Sequence, residues 1–347
     1  MMRVRETARG ARTAHIALFD ATTLVARGVK EQLVARGFPT ASVRLFTSSD
    51  DPEANLSEFD GEAMLVGRPD LDALGNLDIA FLCGTPEEGA RYLQWPRQAG
   101  FTAIDLTAAS RGDAHVPVVN AAVNPGAIEA WAGLIAAPSP AAQILTSLIA
   151  PIRRGPGLES ATAVIFRPAS ESGVGGVDEL YQQTVAVLNF HDLPKQVFGR
   201  QLAFNLIPLP VADPAPARSS VRDEVEDEVL RVTGSGYDLA VQTILAPVFH
   251  CHAAALHIVL PPGHGPEDLI AALRTGEDLK VPARSGGVTP VERAGAAEVA
   301  VAGVRPSRVA RGAWIWAVAD HLTAGTARNA VRIAEGLMDR NLARRPS

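Results

Sequence analysis

Three adjacent side chains, His250, Cys251 and His252, carry the most chemistry of any stretch in the chain, with His257 five residues further on. A thiol beside an imidazole suggests an activated nucleophile. The segment reads as part of a strand, however, where successive side chains face opposite sides and Cys251 and His252 cannot meet. His250 and His252 would then share a face, a start for a metal site, but no second ligand cluster accompanies them and no metal is expected. His252 on its own reads as a histidine kept by its hydrogen bonds. Cys83 closes the apolar run 78–83 (DIAFLC) and reads as an ordinary buried thiol. Arg111, in 105–113 (LTAASRGD after Asp105), and Arg167, just ahead of the glycine-rich 170–176 (SESGVGG), can together hold a small anion; the competing reading is arginines in surface ion pairs. Ser172-Gly173 lies in no G-x-S-x-G turn, which excludes a serine hydrolase of that class.

These residues need a scaffold. The chain has 347 residues, 47% hydrophobic and 20% charged, enough for a large core and one large or two ordinary domains. A net charge of −6 gives no electrostatic case for nucleic acid or an anionic membrane, and no apolar run reaches the length of a membrane span. Two cysteines form no disulfide framework and fit a reducing, cytoplasmic setting; the basic start 1–13 lacks an apolar segment behind it and reads as a disordered tail.

The first half alternates strand and helix. Residues 14–19, 43–46, 78–83 and 101–105 read as strands; Leu24, Val25, Val29 and Leu33 recur at helical spacing up to Gly37, and Pro86-Glu87-Glu88 opens another helix. That rhythm predicts right-handed crossovers and a parallel, doubly wound sheet. Beyond about residue 129 the pattern becomes α+β. Strands are expected at 164–166, 239–249, 255–260 and 314–318, with helices over 177–188 and 221–232 and an exposed proline-rich loop at 209–219. The last helix has an apolar face and must pack on something.

Residues 195–208 (KQVFGRQLAFNLIP) and 314–335 (WIWAVADHLTAGTARNAVRIAE), with 116–119 (VPVV) and 123–125 (VNP), resemble the aspartate-semialdehyde dehydrogenase family, most of all its Usg-like branch, from about residue 14 to 340. The resemblance implies a Rossmann-like dinucleotide-binding domain over 14–128 and 325–347, and an α+β dimerisation and catalytic domain over 129–324. It also implies a homodimer, NADP as cofactor and a role in amino-acid biosynthesis. The family's cofactor loop, Gly-Ala-Thr-Gly-x-Val-Gly, falls on 20–26 (DATTLVA): Ala21, Thr22 and Val25 remain, and the glycines do not. Its Ser-x-Arg-Ser, whose arginine reads the 2′-phosphate, falls on Ser48-Ser49-Asp50-Asp51. The nucleophilic cysteine of Pro-Asn-Cys-Ser-Thr falls on Pro140, within 138–142 (PSPAA). In Arg-x-Pro-Val-x-x-x-His the acid/base histidine is kept as His252, while Leu245 stands for the arginine that holds the substrate carboxylate. Arg111 matches the phosphate-binding arginine, Arg167 the active-site glutamine, and Asn329 the asparagine near the nicotinamide.

The chain is therefore expected to be a catalytically disabled relative, acting as a dimeric binding or interaction protein with a small anionic ligand as one candidate, and to hold no cofactor. The alternative is an NADP-dependent aspartate-semialdehyde dehydrogenase or a related oxidoreductase.

Overall fold

The computed structural model describes residues 13–50, 55–209, 220–281 and 287–343. The expected N-terminal tail up to residue 12 and the proline-rich loop at 210–219 lie outside the described residues. The chain divides into two compact units. One comprises Met1–Pro117, Gly126–Ala137 and Ala330–Ser347, the other Val118–Pro125 and Pro138–Asn329.

In the first unit, strand β1 (Ala14–Phe19) leads through Asp20 to helix α1 (Leu24–Ala35). Thr23 caps that helix, its hydroxyl accepting from Ala26 N, and Gly37 ends it at φ +62°, a left-handed conformation suited to glycine. Strand β2 (Thr40–Phe46) starts three residues before its apolar run. A hairpin of β3 (Leu56–Phe59) and β4 (Glu62–Gly67), not anticipated from the sequence, turns on Asp60 and Gly61, both at positive φ. Such a tight turn favours an Asp-Gly pair. Then follow β5 (Ile79–Leu82), α2 (Pro86–Ala90), α3 (Trp95–Ala99), β6 (Thr102–Asp105) and β7 (Leu134–Ala136). Helix α2 opens on a reciprocal Thr85–Glu88 capping box.

The sheet order is β3-β4-β2-β1-β5-β6-β7, parallel throughout except for the hairpin. Strand order reverses at β1, between β2 and β5, and the crevice beyond the carboxyl ends of such strands is where this architecture binds ligands. Phe19 anchors the core against Phe46 (ring centroids 5.3 Å apart) and Tyr92 (4.8 Å).

In the second unit, α4 (Pro140–Arg154) precedes β8 (Ser160–Arg167), α5 (Gly173–Leu188), β9 (Ile207–Leu209), α6 (Ser220–Thr233), β10 (Asp238–Leu245) and β11 (His252–Val259). After these come α7 (Pro266–Leu273), β12 (Leu279–Lys280), α8 (Pro290–Arg293), β13 (Val299–Pro306), β14 (Gly312–Ala319) and α9 (Thr326–Asp339). The sheet order is β12-β13-β14-β11-β8-β10-β9, mixed in direction. Alternate residues of its central strands (Ala161, Ala163, Ile165; Ala254, Leu256, Ile258) pack with Leu145, Leu148 and Ile149 of α4. The first unit claims the end of the chain: from Ala330 onward α9 belongs to it, Glu335 pairs with Arg36, and the Leu342 carbonyl accepts from Thr102.

Two strand expectations need correction. Strand β10 stops at Leu245 instead of running to 249: Ala246 N gives the last bond to β8, at the Arg167 carbonyl, Pro247 offers no N–H, and Val248 N turns back to the Ala246 carbonyl. Cys251 sits at φ +70°, outside any strand, and β11 begins at His252. His250 and His252 therefore share no strand face, and strand alternation is not what separates Cys251 from His252.

Candidate functional site

At the carboxyl end of β1 the cofactor-type loop is occupied by its own carboxylate. Asp20 stands at φ +57°, where glycine is the strain-free choice. It is 5% exposed, and its Oδ1 accepts from Ser48 N (3.0 Å) and Ser48 Oγ (2.7 Å). The same hydroxyl lies 2.9 Å from Glu88 Oε1. Burial raises the Asp20 pKa; its Ser48 hydrogen bonds act against that and the Glu88 charge with it. Gly84 fits beside the pair because it has no side chain: a Cβ there would stand 2.5 Å from both Asp20 Oδ2 and Glu88 Oε2. Ala21 is buried, Thr22 exposed and Val25 half-buried. Asp50, after β2, is paired with Arg68 at 2.6 Å.

Arg111 belongs to a loop built on Asp105. That fully buried carboxylate accepts from Thr107 N and Oγ1 on one oxygen and from Ser110 N and Oγ on the other. Arg111 itself donates from Nε to the Ala137 carbonyl at 2.8 Å. Cys83, 3% exposed, has its thiol pushed upward by burial and by the Asp20 charge, so it stays protonated.

In the second unit a polar cluster forms where α4, the end of β8, the start of β11 and the segment after β14 converge. Pro140 is the first residue of α4, a position whose missing N–H costs nothing, and Ser139 caps the helix by accepting from Ala142 N. Arg167 meets Glu171 with both prongs, Nε–Oε2 at 2.6 Å and Nη2–Oε1 at 2.8 Å. Glu171 Oε2 also lies 2.9 Å from His252 Nε2. Burial opposes charge on Glu171, yet the Arg167 and His252 charges and their hydrogen bonds hold its carboxyl well below the usual range. The His252 ring is fully buried and sits edge-on to His321, centroids 5.0 Å apart. Burial, then His252, lowers the His321 pKa to about 4. Among the described residues, His252 Nδ1, His321 Nδ1, Gln143 Oε1 and Ser170 Oγ are buried without a hydrogen-bond partner. Buried polar atoms are ordinarily hydrogen-bonded, so these four set the cluster apart from the rest of the core.

Of the expected site residues, the structure joins Arg167 and His252 through Glu171, which sequence reasoning overlooked along with His321. Leu245 lies opposite Arg167 in the β10–β8 register, so the cation flanks the place where a family arginine was expected. Asn329 bonds only backbone, giving to the Val119 carbonyl and accepting from Ala121 N, both at 2.8 Å. Cys251 is fully buried and its thiol is pushed up to about 12, first by burial and then by Asp320. Among the described residues no group of three or more His, Cys, Asp or Glu side chains is disposed to hold a metal ion, and no helix is long and apolar enough to cross a membrane.

Comparison with known proteins agrees with this architecture. Residues 15–131 match the NAD binding domain of semialdehyde dehydrogenases, and residues 149–324 match their dimerisation domain. Aspartate-semialdehyde dehydrogenase 2 of Vibrio cholerae is 27% identical over 331 residues, 93% of this chain and 97% of that protein. The Aquifex aeolicus aspartate-semialdehyde dehydrogenase is 26% identical over 343 residues, 94% and 98% of the two chains. The crystal structure of the Vibrio cholerae enzyme complexed with ASA superposes with a TM-score of 0.87 at 27% identity, covering 95% of this chain and 99% of that one. With its sheet orders, its two units and both family domains in sequence, the chain belongs to the aspartate-semialdehyde dehydrogenase family.

Proposed function

We propose that this chain keeps the dehydrogenase fold without its aldehyde chemistry, and acts as a homodimeric binding or interaction protein of the Usg-like kind. The observation that carries this reading is the state of its two thiols. A phosphorylating aldehyde dehydrogenase needs a thiolate to attack the carbonyl carbon, so that hydride can leave a hemithioacetal and phosphate can cleave the thioester. The head of α4, where the family resemblance puts that thiol, carries Pro140. Cys83 and Cys251 are buried, and both thiols are held protonated. Loss of a catalytic nucleophile costs about 10⁶ in turnover.

Two further features support the reading. Asp20 sets a carboxylate where a pyrophosphate would approach the start of α1, and Asp50 with Arg68 fills the place of a 2′-phosphate reader. Two like charges about 4 Å apart at an effective dielectric near 20 repel by roughly 4 kcal/mol, more than a few hydrogen bonds return.

The Arg167–Glu171–His252 relay favours a second reading, an NADP-dependent oxidoreductase, since a carboxylate that orients an imidazole is what acid/base catalysis uses. One assay separates the two. NADP-linked oxidation of aspartate semialdehyde with phosphate is expected to stay at background, and measurable turnover overturns the proposal. Calorimetry is expected to show weak NADP binding; a dissociation constant in the low micromolar range or tighter would count against the disabled-loop argument separately.

A further inference from the structure

A cavity of about 740 Å3 in the first unit lies between helix α1 and the β3–β4 hairpin. Of the cofactor-type loop at 20–25, Thr22 alone reaches its wall, and Asp20 and Ser48 do not. Two cations line it. Lys30 is only 8% exposed, and its Nζ bonds the neutral hydroxyl of Ser57 at 2.5 Å. Arg27, one turn earlier on the same helix face, is exposed at the same wall. Among the described residues neither cation takes part in an ion pair.

An ammonium has three donors, and Ser57 uses one of them. A buried charge with a single neutral partner is costly, and an anion arriving in the cavity would relieve that cost. We propose that this cavity is a binding site for a small molecule bearing a terminal oxyanion, a carboxylate or a phosphate, held by Lys30 and Arg27, with its apolar body against Val34, Leu56 and Phe59. The shape fits the chemistry: the cations lie on the α1 wall, and the hairpin supplies Leu56, 60% exposed. Glu31, Glu58 and Asp60 also border the cavity. They are exposed to solvent and limit the guest to one anionic end, since a polyanion would meet them. Burial and then Arg27 lower the Lys30 pKa, while Cys83, Glu58 and Glu31 act in the other direction; the net effect enlarges the neutral, nucleophilic fraction of the amine.

The chain has three lysines, Lys30, Lys195 and Lys280, which makes the site readable by mass spectrometry. Pyridoxal 5′-phosphate carries an aldehyde and a phosphate. The neutral amine adds to the carbonyl carbon, water leaves, and borohydride delivers hydride to the imine carbon to fix a secondary amine. Exposure alone would label Lys195 and Lys280 ahead of buried Lys30. The proposal expects the reverse, with Lys30 labelled at least about tenfold faster, a preference of about 1.4 kcal/mol. Pyridoxal without phosphate should lose that preference. Repeating the labelling with 4-formylbenzoate tells a carboxylate site from a phosphate site, according to which reagent keeps it.

The variant Arg27→Gln, altered only at an exposed side chain, should cut the Lys30 rate several-fold with an unchanged circular dichroism spectrum. Inorganic phosphate or benzoate should protect Lys30 in the unaltered protein. Labelling of Lys195 and Lys280 with Lys30 untouched by both anionic aldehydes overturns the proposal, as does pyridoxal reacting at Lys30 as fast as the faster of the two. Protection of Lys30 by NADP would also overturn it, by assigning the cavity to the dinucleotide.

Discussion

Glu171 ties the second-unit cluster together, and its removal gives the most direct test of what the cluster is worth. Replacing it by glutamine leaves Arg167 and His252 facing a neutral amide; a broken, largely buried pair of this type costs about 2–3 kcal/mol, measurable by urea denaturation at pH 7. The pH dependence follows from the direction of the shift. The folded-state carboxyl is held below its ordinary value, so Glu171 contributes its stability in full above the usual carboxylate range and loses it only as pH falls through the depressed value. The glutamine variant should accordingly lose less stability than the parent below about pH 4. His321 acts at higher pH. Its folded-state pKa is lowered to about 4, so between about 6.5 and 4 the unfolded chain takes up a proton that the folded chain refuses. Stability should fall across that window by on the order of 3 kcal/mol, and His321→Asn should flatten that slope. An unchanged slope in the variant would mean that His321 stays accessible to protons in the native state. Neither residue was legible beforehand. Glu171 lies in a segment that reads as a glycine-rich loop, and Pro168 hides the short helical turn that brings it back to Arg167. His321 lies within a stretch whose family likeness was plain but which offered no local pattern of its own.

Among the elements, helix starts decide how the two units present their chemistry. The first turn of α4 is built to begin with proline, so Pro140→Cys should fold with a stability within about 1 kcal/mol of the parent. It should not recover dehydrogenase turnover, because Leu245 supplies no carboxylate anchor; robust activity in that single variant would show the rest of the site intact. Ser139→Ala, by contrast, removes the cap that accepts from Ala142 N and should cost about 1 kcal/mol. The start of α1 invites a gain instead. Asp20→Gly relieves the left-handed residue at φ +57° while giving up its bonds to Ser48, so stability should change little. NADP affinity should rise about tenfold or more as the carboxylate goes, and no change by calorimetry would show that Asp20 does not obstruct the loop. The alternation of strand and helix in the first unit was readable because parallel strands are short, apolar and separated by amphipathic helices, as at β1, α1, β5 and α2. The β3–β4 hairpin escaped notice because Val66 alone of its strand residues is buried and no apolar alternation marks it, although Asp60-Gly61 is a turn signal that could have disclosed it. The end of β10 departs from the sequence pattern for the opposite reason: hydrophobicity continues to Phe249, while pairing with β8 stops at Leu245.

At the scale of the whole molecule, the second-unit sheet has two unlike faces. One packs on α4 through Ala163, Ala254 and Leu256. The other presents Val164, Ala255, Trp314 and Trp316, all half-buried in the single chain. Its aromatic side chains are already fixed, Trp316 by a 2.7 Å hydrogen bond to the Val288 carbonyl and Trp314 against the His257 ring at 4.9 Å. A preordered apolar face of this kind loses little side-chain freedom when it is covered, and the match to a dimerisation domain over 149–324 suggests a second copy of the chain as a partner. We therefore expect a homodimer at micromolar concentration, joined through this face about a two-fold axis. Ala255 is the place to test it. It lies in register between Val164 on β8 and Trp316 on β14, at the middle of the face and clear of the core beneath. Ala255→Arg would bring a guanidinium from each copy into the same apolar contact, with no carboxylate partner among the residues named. Burying unpaired charge there should weaken association by about 3 kcal/mol, or about 100-fold, while the circular dichroism spectrum of each subunit stays unchanged. Sedimentation should show the parent as a dimer and the variant as a monomer at about 10 µM, given an association of micromolar strength. If the variant associates as tightly as the parent, the open face of the sheet is not the interface, and the two tryptophans are held in place for the fold of a single chain.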